Sequence, residues 1–286
     1  MLFVVHDIRA ERVNLLMNDF TAGLPSPLAF LGLAAAVAPA LSAPRWSIAV
    51  LPVLHEVNVS EGRTKAEMIP KGKAGEKAFK PAEIAEDLIG TVRVSLLLDV
   101  PECSSAHAVA DALLGRRLAG GPIINESLKV EAVTADGSAL SRCRRGYALT
   151  RPQSASLDIV AGGRIDELQR FAATLYSRDG ADREGLLVPV AVGHRLLENP
   201  TSAPKRRHTR DPDIPHVFAE PLVGIAELVS VRNPKLTGLD EAGRSDLMWR
   251  WVAEGDWIVG HPCYHPHHRR EDPSGNGSAE QEQING

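Results

Sequence analysis

The segment TVRVSLLLDV, residues 91–100, decides the fold. It is rich in β-branched and apolar residues between polar boundaries, which is the composition of a buried strand. Immediately after it, Ser104 to Leu114 sets Ala106, Val109, Ala110, Leu113 and Leu114 on one side of a helix. The chain then passes through Arg116-Arg-Leu-Ala-Gly-Gly121 and Pro122 into an extended stretch, Ile123 to Val133. Working outward, Leu2 to Ile8 reads as a first strand, and the polar residues of Arg9 to Asn18 break its pattern. In Gly23-Leu-Pro-Ser-Pro-Leu-Ala-Phe-Leu-Gly-Leu33, Ser26 can cap a helix and Pro27 fits its first position. The most apolar window, Leu28 to Leu41, contains Pro39 and is shorter than the roughly 20 residues a bilayer span needs, so it reads as a buried helix. Trp46 to Val59 is apolar and β-branched, with Pro52 indicating an edge position or a bulge.

Between that strand and residue 91, Glu61 to Pro81 turns polar and carries Arg63, Lys65, Lys71, Lys73, Lys77 and Lys80 among glycines. The resulting order is strand, helix, strand, excursion, strand, helix, strand. It is the ferredoxin-like order, shared by RNA-recognition domains, and it predicts an α+β fold class. A ferredoxin-like head is expected over residues 1–152, with a basic insertion at about 60–90, an α+β extension over 153–264 and a disordered tail over 265–286. In the extension, a helix is expected at Ile165 to Tyr176, a strand at Leu186 to Val192, an exposed loop at Glu198 to Pro215 and an apolar stretch at Val217 to Val231. Asp246 to Val259 contains Trp249, Trp251 and Trp257, which read as a packed or partner-facing surface.

Composition excludes several classes of function. The 286 residues are 44% hydrophobic and 24% charged, near the globular average. A formal net charge of −4 argues against coating nucleic acid by bulk charge, so any such site must be local. Cys103, Cys143 and Cys263 are odd in number and far apart, which fits a reducing cytoplasm rather than a disulfide framework. No basic region precedes the apolar Leu2 to Val5, so no signal peptide is expected, and no membrane partner.

The chemistry-bearing residues point mostly away from catalysis. His261-Pro-Cys-Tyr-His265-Pro-His267-His268 offers imidazole and thiol groups, but it lies at the edge of the tail without a cysteine pair, so no metal or other cofactor is expected. No nucleophile elbow, phosphate loop or dinucleotide fingerprint is present. His6, His55 and Tyr147 are the candidates for general acid and base steps in an RNA-cleaving alternative, or else ordinary strand-edge residues. Positive charge collects in four patches: the 63–80 excursion, Arg116 with Arg117, Arg142 with Arg144 and Arg145, and the loop holding Lys205, Arg206, Arg207 and Arg210. Arginines beside glycines offer fixed charge and approachable main chain to a phosphodiester, although the same residues also make a plain turn and a solvated face.

Several segments, in order, resemble one family, the Csy-two (Cas-five-type) subunits of type I-F CRISPR surveillance complexes. They are Gly23-Leu-Pro-Ser-Pro-Leu-Ala-Phe-Leu-Gly32, Arg63-Thr-Lys65, Val94-Ser-Leu-Leu-Leu98, Arg117-Leu-Ala-Gly-Gly121, Gly146-Tyr-Ala-Leu149, Gly185-Leu-Leu-Val-Pro189, Gly224-Ile-Ala-Glu-Leu228 and Ser245-Asp-Leu-Met-Trp249. The resemblance implies a noncatalytic subunit with an RNA-recognition-like head, a basic thumb and a glycine-rich loop. Such a subunit holds the five-prime handle of the guide RNA. By position, Arg63, Lys65 and the following lysines Lys71 and Lys73 would belong to the thumb, and Arg117, Gly120 and Gly121 to the loop, with Arg116 a further candidate RNA contact beside it. Arg12, Asn14, Arg142, Arg144 and Arg145 complete the candidate RNA contacts, and Trp249, Trp251 and Trp257 the candidate partner contacts. The family pattern ahead of the Gly-Pro-Ser-Pro turn is asparagine-rich, whereas here Asn14 and Asn18 remain and Ala22 precedes Gly23. The implied partners are guide RNA, a Cas-eight-type large subunit, a Cas-seven-type backbone subunit and target double-stranded DNA near the protospacer-adjacent motif. Guide base pairing would read the target sequence. The alternative is a ferredoxin-like endoribonuclease that processes the precursor RNA.

Overall fold

The computed structural model describes residues 1–18, 21–60, 88–103, 105–133, 138–152, 186–204, 214–237 and 246–261. It also describes the segments 68–70 and 79–81 and the single positions 169, 172, 173, 175, 206 and 209. Its architecture is mixed α and β, a large antiparallel sheet with few helices.

Strand β1 spans Leu2–Asn14, six residues past the expected end. The polar residues that suggested a break alternate with buried Ile8, Ala10 and Val13, as on a strand with one wet face. Two bulges obscure that alternation, one between Val5 and Ile8 and one between Ala10 and Val13. Each contains a non-glycine residue with positive φ, Asp7 at 59° and Arg12 at 53°. A hydrophobic count with strict period two loses register at both.

Helix α1, Pro27–Val37, begins where Ser26 Oγ accepts from Leu28 N at 3.1 Å, with Pro27 in the first turn. The same hydroxyl donates to the carbonyl of Ala191 at 2.9 Å, which ties the helix start to a distant strand. The apolar window is therefore a helix followed by a 3-10 turn at Ala38–Leu41, since Pro39 lacks the N–H that would continue the α ladder. Strand β2 covers Ala49–Val59, starting later than expected because Ser47 N and Oγ both bond the Pro44 carbonyl in a tight turn. β2 is an interior strand, which corrects the edge reading of Pro52. Proline fits because it lies between the Val50–Trp249 bridge and the short pairing at Val53 and Leu54, while a bulge follows at Leu54/Glu56.

The segments β3, Met68–Pro70, and β4, Phe79–Pro81, form a separate two-stranded ladder. Strand β5, Ile89–Asp99, pairs with β1 on one side and β2 on the other. Helix α2, Ala106–Leu113, is capped by Ser105 Oγ accepting from Ala108 N at 3.2 Å. Then come β6, Arg117–Leu118, β7, Gly121–Pro122, β8, Lys129–Ala132, helix α3, Ser138–Arg142, and β9, Tyr147–Thr150. The chain finishes with β10, Leu186–Leu196, β11, Ala219–Ser230, helix α4, Pro234–Thr237, β12, Arg250–Glu254, and β13, Trp257–His261.

Among the described residues nine strands make one sheet in the order β12-β13-β10-β11-β9-β2-β5-β1-β8. Every pairing in it is antiparallel. One face packs Phe3, Val5, Ile8, Val94 and Leu96 under α1 and α2. The other packs Val4, Leu51, Leu97 and Ala148 under Leu140, Leu236 and Met248. That second cover reaches only part of the sheet. Arg9, Glu11, Thr91, Glu56 and Asn58 remain exposed beside it.

Trp249 is 2% exposed and donates from Nε1 to the Leu149 carbonyl at 2.8 Å, which corrects its reading as a partner contact. It is a core residue because the Val50 bridge draws it beneath the sheet. Trp251 and Trp257 are half-buried. Arg63, Lys65, Lys71, Lys73, most of the 165–176 helix, His265 to His268 and the 265–286 tail lie outside the described residues.

Candidate nucleic-acid interface

The glycine-rich stretch is a β-hairpin. β6 pairs with β7 through Arg117↔Pro122 and Leu118↔Gly121, leaving a two-residue turn. Its central residues, Ala119 and Gly120, have φ of 47° and 82°, the sign combination of the tight turn that suits right-twisted strands. Arg117 Nη1 donates to the Gly120 carbonyl at 2.9 Å and braces the tip. Arg116 Nε donates to the Ala112 carbonyl at 3.1 Å, closing the end of α2 where carbonyls lack helical partners. Each guanidinium thereby spends one donor on its own main chain and keeps others toward solvent, since both side chains belong to exposed residues.

The hairpin docks on β1 at the second bulge. Asn14 N donates to the Ala119 carbonyl at 2.9 Å, Ile124 N donates to the Arg9 carbonyl at 3.0 Å, and Ala10 bridges to Ile123. A side chain at Gly121 would strike the Glu11 carbonyl, with Val13 N at 2.8 Å and the Arg12 carbonyl carbon at 2.9 Å. This corrects the reading of Gly121 as an RNA contact: it is buried, and its bare α-carbon admits the main chain of β1 rather than a ligand. Gly120 is exposed, with open space where a side chain would stand. The docking gathers Arg12, Asn14, Arg116, Arg117 and Gly120, which are scattered in the sequence, around one hairpin.

Ser60 and Leu88, the described residues that flank 61–87, lie beside this hairpin. Ser60 N bonds the Ile89 carbonyl at 2.8 Å, and Leu15 N bonds the Leu88 carbonyl at 2.8 Å. The excursion is thus rooted where β1 has just passed the hairpin.

A second group of polar residues occupies the open sheet face. At the first bulge Asp7 forms a two-pronged ion pair with Arg93, which holds the Asp7 carboxyl below its ordinary pKa. Arg93 Nη1 also approaches Glu56 at 3.8 Å, and Arg144 Nη2 donates to Glu56 at 3.2 Å. Asn125 clamps the bulge, accepting from Arg9 N at 2.7 Å and donating to the Asp7 carbonyl at 3.0 Å. Among the three arginines of the 142–145 cluster, Arg142 reaches Glu131 at 3.3 Å and Arg144 is paired with Glu56. Arg145 has no side-chain partner among the described residues.

The candidates for proton transfer are spread apart. His6 faces Glu131 at 3.6 Å on the β8 side, and Tyr147 is 54% exposed on β9. Both nitrogens of His55 are engaged, Nδ1 with the Arg145 carbonyl at 3.0 Å and Nε2 with Ser95 Oγ at 2.8 Å. Burial lowers the pKa of His6 and of His55. Cys143 is buried and its thiol is pushed up to about 11 by that burial, so it is inert at neutral pH. Cys103 and Cys143 carry no disulfide.

Sequence reading missed Arg9, Arg93, Ser95 and Asn125. Arg9 and Arg93 had a signal, since they occupy alternate polar positions of two apolar strands, whereas Asn125 acts through a bulge that no local pattern announces. Among the described residues no helix is long and apolar enough to cross a membrane.

Residues 155–257 match the family described as CRISPR-associated protein (Cas_Csy2). That span includes β10, β11 and β12 and lies C-terminal to the hairpin. No curated protein matches the chain. The match, over about a third of the chain, falls on the family that the ordered segments from Gly23 to Trp249 resemble, and it supports a CRISPR-associated subunit of the Csy-two type.

Proposed function

We propose that the chain is the guide-RNA-capping subunit of a type I-F surveillance complex, holding the five-prime handle without catalysing a reaction. The observation that carries this reading is the docking of the hairpin on β1, which collects Arg12, Arg116, Arg117 and the open main chain of Gly120 at the root of the basic excursion. Fixed guanidiniums beside a bare tip suit a phosphodiester backbone. The connectivity β1-α1-β2-β5-α2-β8, with strand order β8-β1-β5-β2, supports a ferredoxin-like, RNA-recognition-type head over residues 1–152. Residues 61–87 are its thumb, and Arg63, Lys65, Lys71 and Lys73 its nucleotide contacts.

Within the complex, a Cas-eight-type and a Cas-seven-type subunit are the protein neighbours, Trp257 lies on the partner side, and target double-stranded DNA passes near. The reading is of a cytoplasmic assembly. Engagement of both His55 nitrogens favours a positioning role over proton transfer, which supports binding rather than cleavage.

Titration of handle-bearing RNA against salt tests the proposal. Two lost phosphate contacts in Arg116→Ala plus Arg117→Ala should flatten the log–log salt slope by about 1.4. Indifference to that change would sink the hairpin assignment, and site-specific cleavage of repeat RNA would replace binding with catalysis.

A further inference from the structure

Trp46 takes no part in the hairpin face. It lies before β2, at the end opposite Val59. It is 40% exposed, yet its backbone is held at φ 67°. Bulky residues avoid that region, and the departure persists only where the surroundings over-determine it. Here they do. Ala43 N bonds the Ala38 carbonyl at 3.0 Å, Ser47 N bonds the Pro44 carbonyl at 3.2 Å, and Ser42 turns the chain at φ 55°.

The side chain is as constrained as the backbone. The Trp46 ring stands 6.0 Å from that of Trp251, tilted by 39°, and the Arg45 guanidinium lies 5.1 Å from its centroid. Trp251 is half-buried and packs against the core, so it backs the outer ring rigidly. Within the segment from Leu41 to Ile48 the exposed residues beside Trp46 are Ser42, Pro44 and Arg45, one cation and no carboxylate.

We propose that Trp46, backed by Trp251 and flanked by Arg45, is a stacking platform for one unpaired base of a single-stranded nucleic acid. Charge and shape point to the occupant: one indole face matches the face of one base, and the Leu41 to Ile48 segment carries a cation and no carboxylate, which complements a phosphodiester. Arg45 supplies the phosphate or cation–π partner that such platforms combine with the ring. The inference stands apart from the handle reading, because it uses none of the hairpin residues.

The test uses the full chain carrying Arg116→Ala and Arg117→Ala, so that hairpin binding does not contribute. A fluorescently labelled oligoadenylate of about eight ribonucleotides is the probe, within the usual span of single-strand sites. Trp46→Asn keeps a residue that tolerates left-handed backbone and removes the ring. It should weaken binding about tenfold, while Trp46→Phe should retain most of the affinity and far-ultraviolet dichroism should match the parent for both. Oligoadenylate should also quench tryptophan emission of the parent. The proposal is overturned if the parent does not bind the probe, or if Trp46→Asn binds as tightly as the parent. It is overturned too if Trp46→Asn spares probe binding and instead breaks association with a protein subunit.

Discussion

The hydroxyl of Ser95 donates to Nε2 of His55 at 2.8 Å, which joins two bulged strands through the strand between them. The direction follows from the other ring nitrogen. Nδ1 lies 3.0 Å from the Arg145 carbonyl, which can only accept, so Nδ1 carries the proton and Nε2 is the acceptor. Ser95 Oγ in turn accepts from Asp7 N at 3.1 Å. The chain of bonds runs from the first bulge of β1 to the loop that presents Arg145. Gly146 permits it, because a side chain there would meet the Leu54 carbonyl and His55 Nδ1, the latter at 2.7 Å.

Removing the centre of that chain should be costly. Ser95 is 1% exposed, so Ser95→Ala leaves a buried imidazole acceptor and the Asp7 N–H unpaired. We expect a loss of about 1–3 kcal/mol in urea unfolding, with Ser95→Thr costing less if its hydroxyl keeps both bonds.

Stability should fall on acidification. Burial lowers the pKa of His55 and His6 below the ordinary 6.5, so the unfolded chain binds more protons than the folded one between the two values. Stability from these groups is fully present above pH 6.5 and is lost as pH falls through 6.5 toward the folded values. Melting temperature measured from pH 7.5 to 5 should decline, and His55→Gln should reduce the slope.

The two hairpin glycines should respond differently to alanine. Gly121→Ala forces a methyl group into the backbone of β1 and should cost about 3 kcal/mol, the upper end for overpacking. Gly120→Ala meets nothing and bears only the strain of φ 82°, about 1 kcal/mol. Equal losses by chemical denaturation would contradict the docked geometry.

Among the clustered arginines, Arg145 should matter most for RNA. Its side chain has no partner among the described residues, whereas Arg144 is shared with Glu56 and Arg142 with Glu131. Arg145→Ala should weaken handle RNA about tenfold and Arg144→Ala about threefold, read by filter binding at 0.1 M salt.

Trp249→Ala should unfold the chain at moderate temperature. It empties a core position and orphans the Leu149 carbonyl, together about 3–5 kcal/mol, while Trp251→Ala should cost less because Trp251 is only half-buried. Calorimetry separates the two.

The elements that announced themselves did so locally. Ser26 with Pro27 and the apolar run of residues 91–100 are rules of capping and burial acting within a few residues, and both held. Where reading failed, a distant partner intervened. Strand β1 extends past Ile8 because bulges at Asp7 and Arg12 reset its alternation, and Trp249 is buried because Val50, far away in sequence, pairs with it.

The same division holds for the candidate site. Sequence by itself determined the chemistry on offer, arginines beside glycines in a chain of negative net charge, and single elements such as the 91–100 strand and the Ser26-capped helix, because charge and periodicity are local properties. Only the tertiary structure decided which of those residues meet. Arg12 and Gly121 touch because a positive-φ bulge in one strand admits a hairpin whose α-carbon is bare, and such a close approach depends on two distant backbones at once. It also decided that Gly121 holds the hairpin in place while Gly120 and the arginines face outward.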